Sequence, residues 1–380
     1  MSSSGSGGGS ADPWAWLGLL KWSLSYSDGT KDSSETMSPM SKEDKEFLEK
    51  VMKEGIIDEN ERMKYILQQL TSVIDYYKDA PADKIEPPIT QDNLQDLLLE
   101  LQDIVEQIDY ARAFCSLKGL PFLLGCISSS SSYSNDASSV IPEYIRLSCL
   151  GIIATLCQNN PPVQKELLKL GSLKILSEVY FAYSENDDPD GNGKQKYKYL
   201  AKIMQAISAN VRNHAIAETV FTHLQQSSTL IESGLTIGIG ERQQLQSRTL
   251  FFLRAFLTSD TSNDQRINKF ENSIIYVIDN YLATVSTSTM VSPDLLESAL
   301  GMIEQLLQPP LPTATKVGGE SKDDEVQLQP RSIPKCVIER KDTLDKVGRQ
   351  RVKELQSLTG DDREYAQIEL DLWLSVMKLL

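Results

Sequence analysis

A recurring unit restricts this chain more than any other feature: an apolar helix, a short second helix, a small residue, then a third helix. The apolar helices begin near Tyr144, Tyr197 and Leu245, and the small residue that opens the following helix is Gly119, Ser172, Ser227 and then Asn272. Upstream, Leu94, Leu97, Leu98, Leu101, Ile104, Val105 and Ile108 recur at steps of three and four, which defines one buried helical face. The small residue returns every ~45 to 55 residues, and discounting the polar inserts at 128–139 and 185–194 brings the period near the roughly 40 to 47 of armadillo or HEAT units. Such a unit cannot bury its apolar face alone. Stacking neighbours gives a continuous core and a curved solenoid whose concave side suits a partner protein. The expected fold is therefore all-α, an armadillo-like helical-repeat solenoid. Only 7% of the residues are aromatic, and Leu, Ile and Ala carry most of the apolar content, as helices prefer.

Around this array the sequence divides further. Residues 1–40 form a Ser/Gly-rich tail that carries an apolar LLKWS segment. Residues 41–90 hold helices expected at about 41–54 and 57–78, closed by Pro81, Pro87 and Pro88. The repeat domain covers 91–307, and a Pro-rich, charged linker covers 308–341. Two last helices within 342–380, at about 342–359 and 361–379, are expected to cap the array, because terminal repeats need a polar outer face.

Thirty-eight basic residues against 53 acidic ones give a net charge of −15. That balance excludes nucleic acid and anionic membrane as natural partners, since both are bound through a basic face. No apolar run reaches the roughly 20 residues of a membrane span, and the N-terminus lacks the basic start of a signal peptide, so a cytoplasmic monomer is expected. Five cysteines, an odd number without a CxxC pair, read as free thiols in a reducing compartment.

The search for chemistry returns nothing. His214 and His223 are too far apart for the HExxH pair and match no Cys-His zinc spacing, so they read as solvated or capping residues. No GxSxG elbow exposes a serine. Asp188, Asp190, Asn192 and Gly193 resemble the opening of a calcium loop, but Tyr199 stands where that loop needs a bidentate Glu. Gly234, Gly238 and Gly240 lack the following Lys-Ser/Thr of a phosphate loop and read as a turn between repeats. No catalytic residue, cofactor or metal is expected.

Several short motifs in a fixed order then carry a resemblance. They are the segment from Trp16 through Leu20, Lys21, Trp22 and Ser23 to Leu24, followed by Asp28-Gly29-Thr30; Asp96 to Gln102; Val105-Glu106 with Ile108-Asp109 and Ala111; and Gly119-Leu120 with Leu123-Leu124-Gly125. Arg146, Cys157-Gln158-Asn159-Asn160-Pro161, Ala206-Ile207-Ser208, Arg212-Asn213-His214 and Arg248 with Phe252-Leu253 complete the set. From about 16 to 307 the chain resembles the Fes/Hsp-binding-protein family of armadillo-type nucleotide exchange factors for heat-shock protein 70, with plant-like members the nearest. The inserts, the linker and the tail beyond 309 depart from it.

The resemblance implies that the concave face wraps one lobe of the chaperone's nucleotide-binding domain and speeds ADP and client release. By it, Ala111 and Arg248 bear on chaperone contact. Gln158, Asn159, Asn160, Arg212 and Asn213 join them, with helix capping as their competing role. It also gives the tail a release role, in which Trp14, Trp16, Leu19, Leu20 and Trp22 mimic an unfolded client in the substrate-binding domain. The alternative is a generic armadillo adaptor that holds an extended peptide in a groove lined by Trp and Asn. Trp14, Trp16, Trp22 and Trp373 all fall outside the repeats as read from sequence, which counts against it.

Overall fold

The computed structural model describes residues 58–79, 88–128, 141–185, 193–236, 241–285, 291–308 and 332–380, with isolated positions 42, 43, 46 and 238. The tail with Trp14, Trp16, Leu19, Leu20 and Trp22, most of the helix expected at 41–54, the calcium-like residues 188–192 and most of the linker lie outside the described residues. The chain divides into two compact units, 1–65 and 66–380. In the first, Asp58 Oδ1 accepts from the backbone N–H groups of Asn60 and Glu61 at 3.0 and 3.3 Å. This cap opens α1 (Glu59–Asp79), within which the division between the units falls.

The second unit is an all-α helical-repeat solenoid. After α1 come α2 (Gln91–Val105), α3 (Ile108–Ser116), α4 (Gly119–Ser128), α5 (Glu143–Cys157), α6 (Pro161–Lys169), α7 (Ser172–Glu185), α8 (Gly193–Val211), α9 (Ala215–His223) and α10 (Ser227–Leu235). There follow α11 (Glu241–Leu257), α12 (Asp264–Lys269), α13 (Glu271–Val277) with a π-helical turn at Ile278–Leu282, and α14 (Pro293–Leu307). The chain closes with α15 (Lys335–Ile338), α16 (Lys341–Gln356), α17 (Asp361–Tyr365) and α18 (Gln367–Leu379). The long helices α2, α5, α8, α11 and α14 pack side by side in one layer. Behind them α4, α7, α10 and α13 form a second layer, and α3, α6 and α9 a third.

Short junctions set this stacking. Where the third layer turns into the second, Lys118 (φ 63°) and Gly171 (φ 74°) are left-handed; where a long helix turns into the short helix that follows it, Asn159 (φ 52°) and Asn213 (φ 59°) are. Asparagine tolerates that region better than other side chains, so the two Asn are conformational choices at equivalent places. The small residue that follows lets the second-layer helix enter tightly. A Cβ on Gly119 would sit 2.2 Å from the Phe114 ring, and buried Ser172 accepts a hydrogen bond from Asn210 Nδ2 at 3.0 Å. In the fourth unit Asn272 is exposed and Ser273 is buried, so the equivalent of Ser172 and Ser227 is Ser273. The sequence period misses this by one residue, because both neighbours are small and polar.

Polar caps join successive units. Buried Gln164 donates through Nε2 to the carbonyls of Ala209 and Arg212 at 2.7 and 2.9 Å, closing the end of α8. Lys269 Nζ does the same for the carbonyls of Thr222 and Leu224 at the end of α9. The π turn brings Tyr281 Oη to the Leu235 carbonyl at 2.7 Å, at the end of α10. At the α9/α12 junction, Arg266 and Glu218 are each 2% exposed and paired at 2.9 Å. Arg266 also donates to the Phe256 carbonyl at 2.7 Å, Ser259 Oγ at 2.8 Å and Thr261 Oγ1 at 3.0 Å, with its guanidinium 4.3 Å over the Phe256 ring. Ser259 and Thr261 donate to the same Glu218 oxygen.

Beyond the linker, α15 packs on α13, α16 on the π turn and α18 on α14. These helices thus extend the stack by one more unit, and Trp373 lies fully buried within it. The second terminal helix divides at Ala366 into α17 and α18, after Gly360 (φ 66°) turns the chain. Arg351 clamps Glu369 through two bonds of 2.7 and 3.0 Å, which fixes α16 on α18.

His214 has the capping role. Its Nδ1 accepts from the Ala217 N–H at 3.1 Å, at the start of α9, and burial lowers its pKa below the ordinary 6.5. A proton on Nδ1 removes the acceptor. Because the folded pKa lies below the unfolded one, the cap's contribution is present above pH 6.5 and is lost as pH falls. We predict that the thermal midpoint drops between pH 7.5 and 5.5, and that His214→Asn, which caps without titrating, removes part of that drop. Identical pH profiles for the two proteins would contradict the assignment.

Candidate partner-binding face

Two neighbouring helices of the long layer depart from the acidity of the chain. α8 contains Lys194, Lys196, Lys198 and Lys202 and no acid, and α11 contains Arg242, Arg248 and Arg254 against Glu241 alone. Helical spacing sorts these cations. On α8 the solvent-reached stripe is Lys198, Lys202, Gln205 and Ala209, continued by Arg212 just past its end; on α11 it is Gln244, Ser247, Arg248, Phe251, Arg254 and Ala255. The opposite sides of both helices, with Ile203, Ala206, Ile207, Leu250 and Leu253, are fully buried against the second layer.

The two stripes touch. Arg248 Nη1 donates to the Ala201 carbonyl at 2.9 Å, which lays the guanidinium across α8 beside Lys202. Burial depresses the pKa of Lys202, and the positive charges of Arg248 and Lys198 depress it further. Burial also lowers those of Arg248 and Arg212. Arg212 stacks its guanidinium 4.6 Å from the centre of the Phe251 ring, which is 51% exposed. Two glycines of neighbouring helices lie against these cations, and Gly301 makes room for Arg254. A Cβ on Gly151 would lie 4.0 Å from Lys202 Nζ and 3.3 Å from Gln102 Oε1, and one on Gly301 would lie 2.7 Å from Arg254 Nη1. Arg254 is tethered there through Gln305 Oε1 at 3.2 Å. The result is a cationic strip with one exposed aromatic ring on a rigid helical layer.

The residues singled out from sequence fall in three places. Arg248 and Arg212 belong to this strip, and exposed Asn213 lies next to it at the left-handed junction. Gln158 and Asn159 are exposed at the equivalent junction after α5. Ala111 is 1% exposed and Asn160 is 2% exposed, so neither presents surface to a partner as the protein stands. Ala111 is a packing position in α3, and an arginine there would have to bury its guanidinium; its loss of function would arrive through folding. Lys198, Lys202, Phe251 and Arg254 escaped the sequence reading. A helix-by-helix charge count would have found Lys198 and Lys202, since α8 carries no acid in a chain of net charge −15, and would have shown α11 as net basic around Arg254. Phe251 has no such signal, because it sits in an apolar run with Phe252 and Leu253 and only packing decides which ring faces out.

Nothing in this face supports covalent chemistry. Among the described residues no cluster of three or more His, Cys, Asp or Glu could hold a metal ion, and no helix is long and apolar enough to cross a membrane. Gly234 is part of α10, not of a turn: a Cβ there would lie 2.3 Å from Thr249 Oγ1, so it marks a close helix approach. Cys126, Cys149, Cys157 and Cys336 are buried and Cys115 is half-buried, none of them in a disulfide, with burial pushing the Cys115 and Cys336 thiols up to about 11.

Residues 17–114 match the family model described as nucleotide exchange factor Fes1. Hsp70-binding protein 1 of Mus musculus is 26% identical over 243 residues, covering 63% of this chain and 59% of the relative, and the Homo sapiens protein gives the same figures. The chain thus spans about three-fifths of the length of these curated relatives. An engineered protein among the solved structures aligns over 83% of this chain and 97% of its own, at 12% identity and a TM-score of 0.47. The family match lies at the N-terminal part and the relatives' similarity extends over 63% of the chain, so the chain is similar to members of the Fes/Hsp-binding-protein family.

Proposed function

We propose that this protein is a nucleotide exchange factor that binds the nucleotide-binding domain of a cytoplasmic heat-shock protein 70 and accelerates its release of ADP and client. The observation that carries the reading is the Fes1 match over residues 17–114, together with similarity to Hsp70-binding protein 1. The open face of α8 and α11 supplies a fitting contact surface, with Arg248, Arg212 and Asn213 on it and Gln158 and Asn159 at its edge.

The mechanism needs no catalytic residue and no cofactor in this chain. A partner that binds the opened, nucleotide-poor arrangement of the chaperone more tightly than the closed one lowers ADP affinity by that same ratio. What the exchange factor must supply is a surface that does not yield. Long helices packed side by side provide one, with Gln164 closing the end of α8 while Lys269 and Tyr281 close the ends of α9 and α10 in the layers behind. The protein acts as a monomer in this reading.

Stopped-flow release of a fluorescent ADP analogue from a cytosolic heat-shock protein 70 tests it: the release rate rises with added protein, and an unchanged rate overturns the proposal. The apolar tail has a separable role, occupying the chaperone's substrate-binding domain. Deleting residues 1–30 is expected to leave ADP release intact and slow client release; equal client-release rates would remove that role.

A further inference from the structure

We infer that Lys198, Lys202 and Arg248 form a receptor for the carboxylates of a compact acidic patch on the partner, and that this cluster sets how fast the two proteins associate. The inference rests on the function proposed above for the partner's identity. Its own footing is the arrangement of charges. Three cations from α8 and α11 lie together, and among the described residues none forms an ion pair. Arg248 uses one N–H on the Ala201 carbonyl and has the rest of its five donors unengaged. Burial and then both cationic neighbours depress the pKa of Lys202, and among the described residues no carboxylate offsets them.

A protein with 53 acidic residues has ample means to neutralise such a cluster. Elsewhere it does so: Arg266 has Glu218, Arg340 has Asp279 and Arg351 has Glu369. Here the neighbouring positions are Gln205, Gln244 and Ser247, which add hydrogen-bonding capacity without charge. Across the helix boundary Lys202 meets Gly151 of α5, which also carries no charge. The unneutralised repulsion costs stability in the free protein and is relieved only when negative charge arrives.

The surroundings select the kind of anion. Toward one end of the long-helix layer stands α2 with Asp92, Asp96, Glu100 and Asp103, and toward the other α14 with Asp294, Glu297 and Glu304. An extended polyanion lying across the layer would meet both acidic ends. A compact group of carboxylates on a folded partner meets only the basic centre, since beyond about 8 Å at physiological salt the acidic ends are screened. Carboxylate also suits the planar fork of Arg248.

The test measures association of the full-length protein with a heat-shock protein 70 between 50 and 300 mM NaCl, by stopped flow, alongside ADP release. The association rate constant is expected to fall about tenfold across this range for the natural chain. Lys198→Gln with Lys202→Gln should lower the rate constant at 50 mM several-fold and flatten its salt dependence, whereas Lys198→Arg with Lys202→Arg should restore both. The Gln variant should melt no lower than the natural chain, because it removes repulsion. If ADP release is accelerated but association is indifferent to salt and to the Gln substitutions, the inference fails and the exchange function stands. If no complex and no acceleration are seen at 50 mM, the function itself fails and takes the inference with it. Competition by hexaglutamate at concentrations where inorganic phosphate has no effect supports the carboxylate receptor; equal competition by phosphate overturns it.

Discussion

Phe251→Ala is expected to weaken the proposed complex with heat-shock protein 70 by about thirtyfold while leaving the melting temperature within about a degree of the natural protein. The ring is 51% exposed on a face otherwise made of polar and charged groups, and it is held in place by the Arg212 guanidinium 4.6 Å above it. An aromatic side chain with its orientation already fixed is the kind of anchor that dominates interfaces, because it buries a large area at little entropic cost; truncating such a residue costs roughly 2 kcal/mol or more, which is the stated factor. The free protein has little to lose, since half of the ring already meets water and surface truncations usually stay within about 0.5 kcal/mol. Titration calorimetry beside a thermal melt checks both parts. Unchanged affinity would place the contact surface elsewhere on the solenoid, and a large loss of stability would make Phe251 a packing residue.

The second large effect concerns folding. Arg266→Met should destabilise the protein by about 3–5 kcal/mol, seen as a shift of the urea midpoint, because it strands the Glu218 carboxylate, itself 2% exposed, in the interior. Ser259 and Thr261 still donate to Glu218 but bring no opposite charge. Combining Arg266→Met with Glu218→Leu removes both charges and should recover part of the loss, so the two substitutions will be strongly non-additive. A single-variant loss below about 1 kcal/mol would mean that water or local rearrangement satisfies Glu218. Since this network ties α9 to α12 and to the end of α11, its loss should also loosen the helix that carries Arg248 and Phe251. Weakened partner binding is expected as a consequence of unfolding, recoverable at lower temperature.

Much of the architecture is legible without coordinates. Of the seven residues that announce one buried face, Leu94, Leu98, Leu101, Ile104 and Val105 are buried on α2, whereas Leu97 is half-buried and Ile108, 49% exposed, opens α3 because the helix breaks at Glu106–Gln107. The polar, Pro- and Gly-containing stretches announce where helices stop. The charge of −15 and the absence of paired histidines turn the reading away from nucleic acid and metal before any fold is known.

Three matters needed the tertiary structure. The fourth unit's small residue is Ser273, not Asn272, because burial at a helix entry depends on which of two adjacent side chains faces the neighbouring helix. The helices beyond the linker continue the stack, although their pattern follows a long polar interruption and so shows no repeat spacing; α18 against α14 is a contact between segments far apart in sequence. Ala111 and Arg248 look alike as motif positions, yet one is a core methyl and the other lies on an open face.

The sequence by itself determined that the chain is helical, repetitive, acidic and built for binding, because those properties follow from local periodicity and summed charge, which any stretch of residues carries within itself. Only the tertiary structure decided which cations lie together without a carboxylate and which aromatic ring faces outward. Lys202 and Arg248 come from different helices and meet only once α8 and α11 are packed side by side, so no local pattern could bring them onto one page of the surface.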